Sequence, residues 1–154
     1  MAEAVPWNAS RAAEIIAAHQ AMPGPALPIL HALQAEFGCV PDQATALIAT
    51  ALNRTQAEIH GIITFYHDFR RTKPGRRVLR ICRAEACQSM GEAAISAAIL
   101  ARLGIGWGDT TEDGALTVEA VYCLGLCACA PAALLDGEPL GRLTATSLQA
   151  ALIA

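Results

Sequence analysis

Three cysteines fall within seven residues of this 154-residue chain, in CLGLCACAP at 123–131, where Cys123, Cys127 and Cys129 precede Pro131. Two more, Cys82 and Cys87, are separated by the four residues RAEA, and Cys39 stands alone. Thiols at this density serve as metal or cluster ligands, close disulfides, or pack as small apolar side chains. A [2Fe–2S] cluster takes four cysteine thiolates, and its formal charges sum to about −2 when both irons are ferric. Such an anion needs amide donors around it. The small residues Ala84, Ala86, Gly91, Gly125 and Ala128 would let backbone N–H groups approach. No carboxylate lies between Cys123 and Pro131, and Glu85 is the one acid nearby. A structural zinc site would use the same thiolates, so spacing leaves zinc, cluster, disulfide and plain burial open. Cys39 follows Gly38 and reads as a buried apolar residue; Cys129, two residues past Cys127, reads as a bystander to the site.

The elements around these cysteines decide whether they can meet. RVLRIC at 77–82 alternates and predicts a strand ending on Cys82; LTVEAVYC at 116–123 predicts a second ending on Cys123. Strand ends in one small sheet commonly lie side by side, so four thiols would project from two adjacent loops. Met90 to Leu103 predicts one helix stopped by Gly104. AALL at 132–135 leads into Asp136-Gly137, a hairpin turn pair, with Leu140 to Leu143 as the returning strand and Thr144 to Ala154 as a last helix. The resulting β-α-β-β-α order is a small α/β layer.

Upstream the periodicity is helical. Helices are predicted over Ser10–Gln20, over Pro28–Phe37 with Gly38 as the stop, after Pro41, and from Thr55, where TQAE is a capping box. The period changes at RRTKPGRR, residues 70–77, which holds five of the eleven basic residues and a Pro-Gly turn. Two domains are expected: a helical one over 1–73 and the α/β one over 74–154. The basic run itself reads as a solvated linker, with docking to an acidic partner as the lesser alternative.

Charged residues make up 16% of the chain, below the roughly 25% of ordinary soluble domains. That suggests a surface covered by a partner. A net charge of −3 gives no reason to expect nucleic acid. MAEAVPWNAS shows no basic segment followed by an apolar run, and the uncharged stretch Ala120–Leu135 contains Gly125 and Pro131. It falls short of the roughly 18–20 residues that span a bilayer. The expectation is a soluble, cytoplasmic protein with no membrane insertion, in which six cysteines favour metal or redox chemistry over disulfides. His60 and His67 lie near one helix face but lack a third ligand. GIGWGD at 104–109 does not match a dinucleotide loop. A thiol–disulfide oxidoreductase would need C-x-x-C where this chain has C-x4-C.

CRAEACQSMG at 82–91 and CLGLCACAP at 123–131, each preceded by a predicted strand, resemble the thioredoxin-like [2Fe–2S] ferredoxin family. EFGCVPDQA at 36–44 and FYHDFR at 65–70 resemble its helical half, so the likeness covers about residues 25–145. It implies an α+β or α/β fold: an N-terminal helical bundle followed by a small thioredoxin-like β-α-β-β-α domain. It implies a [2Fe–2S] cluster on Cys82, Cys87, Cys123 and Cys127, with no catalytic residue in this chain. Complex I, NAD-reducing hydrogenases and soluble NAD-dependent formate dehydrogenases share this module. CRAEACQ with FYHDFR looks most like the gamma subunit of the formate enzymes. The implied role is electron transfer beside a flavin subunit that reduces NAD+, with a large iron–sulfur subunit bearing the molybdenum cofactor. FMN and NAD would then sit on partner subunits. The equivalent subunit of complex I or of a hydrogenase is the alternative, and a zinc-stabilised interaction module is the alternative of another class.

Overall fold

The computed structural model describes residues 6–153. The reading of MAEAVPWNAS thus lies partly, and the end of the last helix at Ala154 wholly, outside the described residues. The chain forms two units, one ending at Lys73 and one beginning at Pro74.

The first unit is four helices: α1 (Ala9–His19), α2 (Ala26–Phe37), α3 (Asp42–Ala51) and α4 (Gln56–Phe65). Each boundary has a local cause. Asn8 caps α1 by accepting from the Arg11 amide at 3.0 Å. Gly38, at φ +79°, stops α2 and donates its N–H to the Gln34 carbonyl. Thr55 and Glu58 close both arms of the expected capping box at the start of α4. α2 begins at Ala26, two residues before the expected Pro28. Pro28 is accommodated in the first turn, where its missing N–H has no intrahelical acceptor to satisfy. The core is apolar, with Ile29, Leu30, Leu33, Phe37, Ile48, Ile59 and Ile63 buried. The segment after α4 is fastened by Gln34, whose Nε2 donates to the Asp68 carbonyl at 2.7 Å while its Oε1 accepts from the Arg70 amide at 2.7 Å.

The second unit runs β1 (Arg77–Cys82), α5 (Glu85–Ser89), α6 (Glu92–Leu103), β2 (Leu116–Val121), β3 (Ala133–Leu135), β4 (Glu138–Leu140), α7 (Ala145–Ile153). Its sheet has the order β2-β1-β3-β4. β1 pairs parallel with β2 and antiparallel with β3. Leu79, Ile81, Val118, Ala133 and Leu135 from the strands bury against Ile99 of α6 and Leu148 of α7. Off that core, the register partners Arg80 and Glu119 join across β1 and β2 at 3.0 Å.

Three sequence expectations are corrected by the fold. The helix expected over Met90–Leu103 starts two residues later, at Glu92, with Gly91 at φ +88° as its N-cap, and a short helix that the sequence does not predict, α5, precedes it. β2 ends at Val121 rather than Cys123, since its partner β1 ends at Cys82 and pairs no further. The returning strand is Glu138–Leu140, not Leu140–Leu143. Asp136 (φ +54°) and Gly137 (φ +91°) form a two-residue turn of primed type, so pairing resumes at once with Leu135 opposite Glu138. No helix among the described residues is long and apolar enough to cross a membrane.

Candidate functional site

Cys82 is the last residue of the central strand, and its amide donates to the Ala132 carbonyl at 3.0 Å. The next amide, Arg83, donates to Val121 at 2.7 Å and ties the strand ends together. Ala84 then opens α5 in extended geometry, and its carbonyl receives the Cys87 amide at 2.9 Å. Cys87 is thereby returned to Cys82 on a single helical turn. On the other side, Cys123 lies two residues beyond the end of β2. It adopts φ +78° and Gly125 φ +74°, after which a short 3₁₀ turn carries Cys127 to Cys129. A left-handed conformation costs a non-glycine residue about 1–2 kcal/mol. At Cys123 it presents the Cys123 and Leu124 amides to the Cys82 sulfur.

The four expected thiols are brought together as two pairs. Cys82 and Cys87 interact directly, as do Cys123 and Cys127. Cys87 and Cys127 both feel the charge of Cys82. The first pair is buried with Ala132, and Leu124 and Leu126 pack over it. Cys123 and Cys127 are exposed. Burial opposes ionisation of Cys82, yet N–H groups of Ala84, Cys123 and Leu124 and the Cys87 thiol together bring it below the ordinary thiol value. Burial, with the Cys82 partner, pushes Cys87 up despite the Ala132 N–H. Hydrogen bonding to Cys123 and that neighbour's charge push Cys127 up. One thiolate is therefore favoured and its neighbours resist joining it, a repulsion that a cationic core between them reverses. Amide donors facing one sulfur pair suit an anionic iron–sulfur guest. The four thiols remain two pairs: among the described residues no three or more His, Cys, Asp or Glu side chains are drawn into one group that would hold a metal ion.

The sequence places the four thiols in adjacent loops but points to only one of the donors, Ala84. Cys123, Leu124 and Ala132 do not stand out as donors, because side-chain size carries no mark of where an amide points. Cys39 is buried in the helical unit, as its position after Gly38 suggests, and burial raises its pKa. His60 and His67 are exposed. Cys129 has a structural neighbour that its sequence context does not suggest: its carbonyl accepts from the Arg142 amide at 2.6 Å. A Cβ at Gly141 would come within 2.8 Å of the Cys129 Cβ, so only glycine lets the two backbones meet.

Fold and family together define the class: a small α+β protein of thioredoxin-like fold that carries a [2Fe–2S] cluster. The model of the thioredoxin-like [2Fe–2S] ferredoxin family matches residues 12–154, and the chain belongs to that family. It is similar to the E subunit of NADH-quinone oxidoreductase from Pseudomonas aeruginosa, 37% identical over 112 residues, which are 73% of this chain and 68% of that protein. The HndA subunit of the NADP-reducing hydrogenase from Solidesulfovibrio fructosivorans is 28% identical over 121 residues, 79% of this chain and 71% of that one. Among solved structures, the NAD+-reducing [NiFe]-hydrogenase in the air-oxidised state matches with a TM-score of 0.71 and 32% identity. That match covers 87% of this chain but spans only 23% of the hydrogenase chain.

Proposed function

We propose that Cys82, Cys87, Cys123 and Cys127 hold the cluster, and that the chain is the electron-transfer subunit beside the flavin subunit of a molybdenum-containing, NAD-dependent formate dehydrogenase. The observation that carries the ligand assignment is the meeting of these four thiols under amides of Ala84, Cys123, Leu124 and Ala132. The cluster supplies a centre that takes and returns one electron at a time. The chain's own residues supply charge compensation and restrict water. Leu124 and Leu126 cover the buried pair. The exposed side, at Cys123 and Cys127 with Tyr122 (73% exposed) adjoining in sequence, is the face through which electrons cross.

No residue of this chain makes or breaks a substrate bond in this reading. Formate oxidation to carbon dioxide belongs to the large iron–sulfur subunit with its molybdenum cofactor, and NAD+ reduction to the flavin subunit with its FMN. The helical unit over 1–73 is the docking arm, and the complex works in the cytoplasm, where six free cysteines are at home. What favours the formate parent is the wording CRAEACQ with FYHDFR. The second reading, an equivalent subunit of complex I or of an NAD-reducing hydrogenase, is favoured by the relatives named above. Isolating the native complex through a tag on this chain separates the two. The formate reading predicts co-purified molybdenum and flavin, with the cluster reduced by formate. Quinone-reductase or hydrogenase subunits, and a cluster indifferent to formate, would replace it with the second.

A further inference from the structure

Three features the electron-transfer reading does not use converge beside Cys82. Glu92, in the first turn of α6, is only 1% exposed, and neither carboxylate oxygen has a hydrogen-bond partner. Its ion-pair partner among the described residues is Arg83, whose Nε lies 3.8 Å from Oε2 and is itself buried without a hydrogen bond. The Arg83 guanidinium carbon stands 5.0 Å from the centroid of the Trp107 ring. Trp107 belongs to the glycine-rich turn GIGWGD, which is pinned to β2: the Gly108 amide donates to Val118 at 2.8 Å and the Val118 amide to Asp109 at 3.1 Å. Asp109 also receives the Gly106 amide at 2.9 Å. The Arg83 guanidinium thus has two neighbours, the Trp107 ring of this turn and the Glu92 carboxylate. The ion pair is tied to the loop from Cys82 to Cys87 through Arg83, which follows Cys82 directly and whose carbonyl receives the Gln88 side chain at 2.8 Å.

A buried carboxylate with no hydrogen bonds is costly, and replacing such a pair with neutral groups is often neutral or stabilising. Stability therefore does not explain it. Charge does. Reduction adds an electron to a site next to Arg83, and a lone guanidinium there would favour the reduced form. Buried charges are weakly screened, so the opposing carboxylate is felt. We propose that Glu92 is a positioning residue: it fixes Arg83 against Trp107 and offsets its charge, holding the cluster's reduction potential down. The proposal rests on the ligand assignment above.

The test is the midpoint potential of the cluster-loaded chain, read by EPR-monitored titration, with iron and sulfide measured in every sample. Glu92→Gln is expected to raise the reduced-to-oxidised ratio at fixed poise about tenfold, or about 59 mV for one electron. Glu92→Asp keeps the charge and should stay closer to the parent than to Glu92→Gln. Arg83→Gln should shift the opposite way; where it does not accumulate because Glu92 is left unmatched, the two Glu92 variants decide alone. Loaded Glu92→Gln with the parent's potential overturns the proposal, as does an equal shift in Glu92→Asp. A parent chain that assembles no cluster on the four cysteines fails the ligand assignment instead, which the iron and sulfide values reveal separately.

Discussion

The two thiol pairs are built by opposite means. Cys82 and Cys87 sit on regular structure, the end of the central strand and a turn of helix, and are 3% and 2% exposed. Cys123 and Cys127 sit on an irregular loop, exposed, one in a left-handed conformation and the other opening a 3₁₀ turn. The buried pair inherits its place from the sheet: the same contacts that stabilise β1 deliver Cys82. The exposed pair owes its place to local backbone, with Cys123 in a left-handed conformation that costs a non-glycine residue about 1–2 kcal/mol. One pair is thus secured by the core and shielded from water, while the other remains reachable by a redox partner.

Substitutions can break this contrast. The largest effect is expected from Cys82→Ser and Cys123→Ser, each of which should reduce iron and sulfide from about two per chain to near none. They should differ without cluster. Cys82→Ser places a hydroxyl in the buried pocket and should lower apo stability by about 1–3 kcal/mol in urea unfolding. Cys123→Ser, on the surface, should stay within about 0.5 kcal/mol. Equal losses would mean that the pairs are not supported differently.

Next in size, Gly141→Ala forces a methyl to 2.8 Å from the Cys129 Cβ. Overpacking of this kind costs about 1–3 kcal/mol, and displacement of the turn bearing Cys127 should loosen cluster retention as well. Unchanged melting and iron content would show that the loop adapts freely. Cys123→Gly removes the strain of φ +78° and should stabilise the apo chain by up to about 1 kcal/mol while abolishing the cluster. A loss of apo stability would contradict strain at that residue. The smallest effect belongs to Cys129→Ala, expected to leave iron, sulfide and the EPR line shape as in the parent. A halved iron content would make Cys129 a ligand.

The same contrast governs what is legible in the sequence. RVLRIC reads as a strand because its apolar residues are needed on both faces, with Leu79 and Ile81 buried on one and Val78 and Cys82 on the other, and that apolar run ends on Cys82. The same logic puts Cys123 on a strand too, wrongly, because LTVEAVYC goes on alternating after β1 has run out of residues to pair. That stop is a property of the partner strand. α5 is invisible in the sequence because five residues hold too little periodicity to register. Gly91, the N-cap of α6, is the second residue of the segment that reads as helix from Met90, since side-chain pattern alone does not mark where the first turn begins. The hairpin turn is legible from Asp136-Gly137, but the expected return begins two residues late, although a two-residue turn leaves no room for a gap. Arg83, Glu92 and Trp107 are scattered over 25 positions, and only the fold joins them. The four ligand candidates stand out by residue type. The amides that face them do not, since every residue but proline has one.

The most direct measurement is iron and acid-labile sulfide on anaerobically purified protein, together with a low-temperature EPR spectrum after dithionite reduction. About two irons and two sulfides per chain with an S = 1/2 signal, all lost in the Cys82→Ser and Cys123→Ser chains, is the result expected of a cluster on these four thiols. A cluster retained undiminished in those variants, or zinc without sulfide in protein taken from its native complex, would contradict it.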